Sequence, residues 1–117
     1  MIMVTVYGIP NCDRVRAARK WLDRQAVDYR FHDTRADGLT RAQLEGWIAR
    51  LGTDTLLNRR STTWRQLPEG QRTGLTDTTA VDLLLAHPTL LKRPLLDSDG
   101  TLSAGFDEAA WAQALEP

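Results

Sequence analysis

The chain has 117 residues, of which 42% are hydrophobic and 26% charged, an ordinary composition for one globular domain with its own core. Fifteen basic residues balance fifteen acidic ones, so no global field draws the chain to nucleic acid or to an anionic membrane. No apolar run approaches a membrane span and the N-terminus shows no leader pattern. The expectation is a cytoplasmic monomer with no membrane or nucleic-acid partner. One cysteine and two histidines exclude an internal disulfide and argue against a bound metal.

Residues 2–7 read as a buried strand, because Ile2, Val4 and Val6 share a β-branched run with Thr5 and Tyr7. From Asp13 to about Gln25 the apolar positions Val15, Ala18, Trp21 and Leu22 recur at helical spacing. Arg14, Arg16, Arg19, Lys20 and Arg24 cover the rest of that helix and read as a solvated face. Val27–Asp33 alternates apolar and polar side chains, as a second strand does. Strand, helix and strand in succession imply parallel pairing with a right-handed crossover. His32, within the second strand, reads as structural or exposed.

Thr40 has the chemistry of a helix cap, followed by the stripe Leu44, Trp47, Ile48 and Leu51 and a stop at Gly52. Further helical patterns run from Thr62 to Leu67 and from Thr76-Asp77 to His87-Pro88, with no clear strand in this block. Strand character returns at Pro94–Asp97. Ser98-Asp99-Gly100 is a hairpin signal and Thr101–Ala104 the returning strand. A last helix is predicted from Asp107, its cap, to about Leu115, burying Ala110, Trp111, Ala114 and Leu115. The resulting fold class is α/β: a four-stranded mixed sheet in the order β-α-β … β-β-α, with a central helical insertion. One domain covers 1–117, with a core of 1–36 and 92–117 and the insertion at 37–91.

Three segments carry candidate chemistry. Gly8-Ile9-Pro10-Asn11-Cys12-Asp13 places the only thiol where a strand gives way to a helix. Unpaired backbone N–H groups and the helix dipole favour a thiolate at such a place. This is the thioredoxin-like position for C-x-x-C, yet Val15 stands where the second cysteine would be. Asn58-Arg59-Arg60-Ser61-Thr62-Thr63-Trp64-Arg65 sets three arginines among hydroxyl and amide groups, a stretch able to hold an oxyanion or carboxylate. Lys92-Arg93-Pro94 precedes a strand, which makes the 93–94 peptide a candidate cis bond.

Taken together, Tyr7–Asp13, Ala18–Leu22, Tyr29–Asp33, Leu56–Arg60, Thr62–Arg65, His87-Pro88 and Leu91–Pro94 make the chain resemble the arsenate reductase/Spx-related family of thioredoxin-like proteins. Within that family it is most similar to the YffB-type branch of glutathione-dependent thiol reductases. The resemblance covers nearly the whole chain. It implies Cys12 as nucleophile, Arg60 and Arg93 as catalytic partners, and Pro94 as the active-site proline. Asn11, Arg59, Arg60, Arg93 and Pro94 would line the binding site for glutathione or substrate, with Arg59 the less favoured register for the first arginine. Glutathione, or a similar small thiol, would be co-substrate and not a bound cofactor, with glutaredoxin as a further partner.

Two departures narrow the choice. Arsenate reductases of this type carry a third arginine near the last hairpin, and here that position falls on Gly105. Spx-type regulators carry a C-x-x-C switch that Val15 forbids. The resemblance thus favours a glutathione-dependent thiol reductase, ahead of an Spx-like regulator binding RNA polymerase and of an arsenate reductase proper.

Overall fold

In the computed structural model the described residues are 3–115; Ile2, expected in the first strand, lies outside them. The chain folds as two compact units, Met1–Gly38 with Arg93–Pro117, and Leu39–Lys92.

The first unit holds β1 (Val4–Gly8), α1 (Asp13–Arg24), β2 (Arg30–Asp33), β3 (Leu95–Ser98), β4 (Thr101–Ala104) and α7 (Glu108–Ala114). The sheet order is β2-β1-β3-β4, with β1 parallel to β2 and antiparallel to β3, and β3 antiparallel to β4. Period two decides which side chains enter the core. Val4 and Val6 from β1 and Leu96 from β3 pack with Ala18, Trp21 and Leu22 of α1 and Trp111 of α7. Thr5 and Tyr7 point the other way, half-buried. Burial holds the Tyr7 phenol above its ordinary pKa, and Asp97 adds to this against a smaller opposing effect of Arg30.

Several boundaries differ from the expected ones for local reasons. Met3 is exposed and precedes the strand. β2 begins at Arg30, not Val27, because α1 ends in a Schellman motif. Ala26 adopts φ 56°, its N–H bonds the Asp23 carbonyl at 3.1 Å, and the Val27 N–H bonds the Leu22 carbonyl at 3.0 Å. The Val27 backbone is spent on finishing the helix. Arg19 is not a solvated cation: its Nε donates to Tyr29 Oη at 3.1 Å and its guanidinium lies 4.2 Å from the Phe31 ring centroid, tying α1 to β2. Ala110 is exposed, so the buried stripe of α7 is Trp111 with Ala114 and Leu115 partly covered.

β1 and α1 approach closely at Gly8. A Cβ there would stand 2.7 Å from Val15 Cγ2, and Val15 is fully buried. Gly8→Ala should therefore cost on the order of 1–3 kcal/mol of stability by overpacking against a stiff side chain. A double-mutant cycle with Val15→Ala, followed by urea melts, should show coupling that recovers part of the loss. Strict additivity would contradict this contact.

The second unit holds α2 (Arg41–Leu51), α3 (Thr53–Leu56), α4 (Thr62–Gln66), α5 (Glu69–Arg72), α6 (Asp77–Ala86) and a 3₁₀ turn (Pro88–Leu90). α3, α5 and the 3₁₀ turn are single turns with no periodicity to reveal them. Thr40 and Thr76 each build a capping box with the residue three positions on, Gln43 and Thr79. α2 buries Leu44, Trp47 and Ile48, and α6 buries Ala80, Val81, Leu83 and Leu84. A bridge that no sequence pattern announces pairs Leu57 with Leu91, antiparallel. The Asn58 N–H bonds the Leu90 carbonyl at 2.8 Å and the Lys92 N–H the Leu56 carbonyl at 2.7 Å. Among the described residues no helix is long and apolar enough to cross a membrane.

Candidate active site at the strand ends

Four chain segments of the first unit meet at one end of the sheet. β1 pairs Gly8 with Asp33 of β2 and Tyr7 with Leu95 of β3, and Leu95 pairs with Ala104 of β4. Beyond these pairs lie the Cys12 loop, Thr34, Arg93-Pro94 and Gly105. Continuing the β1–β3 register sets Gly8 opposite Pro94, so the loop bearing the thiol leaves the sheet where the proline enters it.

The loop is a turn closed by the Cys12 N–H on the Ile9 carbonyl at 3.3 Å, with Pro10 and Asn11 at its two central positions. Proline presets the first of these. Ile9 is buried while Pro10 and Asn11 are exposed. Cys12 is the N-cap of α1, in extended conformation at φ −98° and ψ 127°, and its side chain makes no capping hydrogen bond. The thiol is partly accessible and does not serve as a cap. Its carbonyl accepts the first bond of the helix, from the Arg16 N–H at 2.9 Å. Val15, one turn on, fills the place of a second thiol with a buried methyl pair.

The Arg93–Pro94 peptide is cis, in line with the sequence expectation. Pro94 is buried and Arg93 half-buried. The Pro94 carbonyl accepts the Gly105 N–H at 2.8 Å, and the Gly105 carbonyl accepts Trp111 Nε1 at 3.1 Å. No local sequence pattern links positions 94, 105 and 111, so this relay from α7 to the proline is visible only in the fold. Gly105 is itself buried at φ 81°, a conformation that an arginine would adopt only with strain. On the other flank, buried Thr34 donates its N–H to the Gly8 carbonyl at 2.9 Å. His32 is half-buried, with Nε2 2.8 Å from the Gly38 carbonyl and its ring centroid 4.9 Å from that of Tyr7, a structural role.

In the second unit, Asn58 Oδ1 accepts the Arg60 N–H at 3.2 Å and Ser61 caps α4. Arg59 is engaged: it pairs with Asp54 at 2.6 Å and lies 5.5 Å from the Trp64 ring centroid. Arg60 is exposed. Among the described residues the guanidinium groups of Arg60 and Arg93 have no hydrogen bond, ion pair or ring contact, which leaves both able to meet an anion.

A solved structure named YFFB protein superposes on this chain with a TM-score of 0.93, at 43% identity over 97% of this chain and 100% of that one. An uncharacterised protein of Haemophilus influenzae is 45% identical over 112 residues, 96% of this chain and 98% of its own length. The global transcriptional regulator Spx of Streptococcus pyogenes is 29% identical over 109 residues, 91% of this chain and 80% of its own. The ArsC family profile matches residues 7–114. That profile spans nearly the whole chain, including the thiol at the head of α1 and the four-stranded mixed sheet, and the chain belongs to the ArsC family.

Proposed function

We propose that this protein is a thiol reductase that uses Cys12 as its only nucleophile and glutathione as the resolving thiol. The observation that carries the reading is a partly accessible, non-capping thiol at the head of α1 in a chain with no second sulfhydryl. The Cys12 thiolate attacks one sulfur of a disulfide R–S–S–R′, forming Cys12–S–S–R and expelling R′–S⁻. A glutathione thiolate attacks the Cys12 sulfur and releases R–S⁻. A second glutathione attacks the glutathione sulfur of that adduct, restoring the Cys12 thiolate and forming oxidised glutathione. Two glutathiones supply the two electrons, and their protons pass to the two released thiols.

Arg93 would hold an anionic group of the substrate by charge-assisted hydrogen bonds, with Asn11 and Pro94 shaping the same end of the first unit; Arg60 is the candidate anion-binding cation of the second unit. The unengaged guanidinium groups support this role, and the Asp54 pair of Arg59 favours Arg60 as the acting residue of the two. The test is turnover of a low-molecular-weight disulfide with glutathione, assayed alongside arsenate. Disulfide reduction should be robust and arsenate reduction weak or absent, because position 105 offers no third arginine. Arsenate turnover with no disulfide reduction would reverse the assignment.

The alternative is a regulator that binds RNA polymerase, favoured by the likeness to Spx over most of the chain. That relative sets a transcriptional role beside the expectation of no nucleic-acid partner. Against it stands buried Val15, which denies the chain an internal disulfide switch. Co-purification with RNA polymerase by Cys12→Ser as well as by the unaltered chain, with no disulfide turnover, would favour the regulator.

A further inference from the structure

We infer that Arg14 sets which disulfides react at Cys12: its guanidinium receives a carboxylate close to the sulfur under attack, so anionic disulfides are preferred to neutral ones. The inference rests on Cys12 acting as the nucleophile of the proposed cycle, and it names a substrate class for that step.

By charge alone Arg14 falls in with the other cations of α1, but its place on the helix differs from theirs. Arg14, Ala18 and Trp21 are spaced by four and then three residues and so share one stripe. Ala18 and Trp21 are buried, and the Trp21 ring lies 6.1 Å from the Phe106 ring. The stripe therefore faces the segment that leads from β4 into α7. Arg14, exposed at the N-terminal end of the stripe, reaches that segment, where its Nη2 donates to the Phe106 carbonyl at 3.4 Å. Phe106 follows Gly105, whose N–H bonds the Pro94 carbonyl. Arg14 is also only two residues beyond Cys12, about 3 Å along the helix axis, and a helical side chain leans toward the N-terminus. Both constraints bring the guanidinium to the end of the sheet that carries the Cys12 loop and Pro94.

The charge on Arg14 has no counter-ion. Neighbouring Asp13 pairs with Arg16, and Asp107 accepts the N–H groups of Ala109 and Ala110. Of the five N–H groups of a guanidinium, the Phe106 carbonyl takes one, and among the described residues the others have no hydrogen bond or ion pair. The backbone bond restricts a long side chain to few rotamers. The free N–H groups keep the forked geometry that matches a carboxylate. A neutral disulfide gains nothing from this arrangement.

The experiment is a single-turnover reaction of the reduced protein, without glutathione, against two chromogenic aromatic disulfides. Dithiobis(nitrobenzoate) carries carboxylates and dithiodipyridine is neutral. With either, the Cys12 thiolate attacks one sulfur, the sulfur–sulfur bond breaks, and an arylthiolate leaves with the bonding electrons and is read by its absorbance. The variants are Arg14→Glu and, as a control, Arg24→Glu; both side chains are exposed, so neither change threatens the fold. The ratio of the anionic to the neutral rate constant should fall roughly three- to tenfold in Arg14→Glu, as when one exposed ion pair becomes a repulsion of similar size. Arg24→Glu makes the same reversal about 18 Å from Cys12 along α1, beyond the screening length of physiological salt, and should leave the ratio unchanged. An unchanged ratio in Arg14→Glu, an equal loss with both probes, or an equal fall in Arg24→Glu would overturn the inference. No reaction with either probe in the unaltered chain would sink Cys12 as nucleophile, and this inference with it. The expected ratios in a chain that glutathione fails to turn over would sink only the resolving step and leave the role of Arg14 standing.

Discussion

Cys12→Ser should bring disulfide turnover down to the uncatalysed rate while leaving the protein at least as stable. Serine cannot form the sulfur–sulfur bond on which both half-reactions of the proposed cycle depend, and no other thiol exists in the chain to take its place. Stability should move the other way. Position 12 is the N-cap of α1 and its present side chain makes no capping bond. Serine is among the preferred N-cap residues, worth about 0.5–2 kcal/mol over a non-capping one. A thermal melt together with a turnover assay separates the two effects. Residual turnover in a well-folded Cys12→Ser would remove the nucleophile from the account.

The largest expected loss of stability is at Trp111→Ala. The indole is fully buried, lies in T-shaped contact with Trp21 at 6.4 Å and with Phe106 at 5.0 Å, and donates to the Gly105 carbonyl. Truncation of such a side chain costs roughly 3–5 kcal/mol. It also leaves a buried carbonyl unpaired. Because the same glycine binds the Pro94 carbonyl through its N–H, damage at α7 reaches the proline at the site. Trp111→Phe keeps most of the packing but drops the N–H donor. It should lose less stability, about 1–3 kcal/mol from the unpaired acceptor, yet still lower kcat. Chemical denaturation and kinetics on the two variants test this; a Trp111→Phe protein with full activity would show that the relay does not support the site.

Local chemistry is legible in the sequence and non-local chemistry is not. Thr40, Thr76 and Asp107 cap their helices as their side chains imply, because a capping group bonds backbone N–H groups two or three residues away. The hairpin at Asp99-Gly100 likewise follows from two residues that tolerate positive φ, 51° and 94° here. The break in pattern at Gly8–Asn11 is enough to put Cys12 at the head of a helix. By contrast, the Leu57–Leu91 bridge joins residues far apart in sequence, and only the folded chain displays it. Ala110 reads as buried by period but faces out, since α7 turns Trp111, with Ala114 and Leu115 partly covered, toward the core. The partners of Arg59 and Arg19, and the use of Gly105 as a hydrogen-bonding link, depend on tertiary neighbours that spacing cannot supply.

Intact-protein mass spectrometry after exposure to oxidised glutathione reaches the central claim most directly. One glutathionyl adduct should form, map to Cys12, and be discharged by reduced glutathione with regeneration of the free thiol. A chain that stays unmodified, or an adduct that reduced glutathione cannot release, would contradict a cycle built on one protein sulfur and an external thiol.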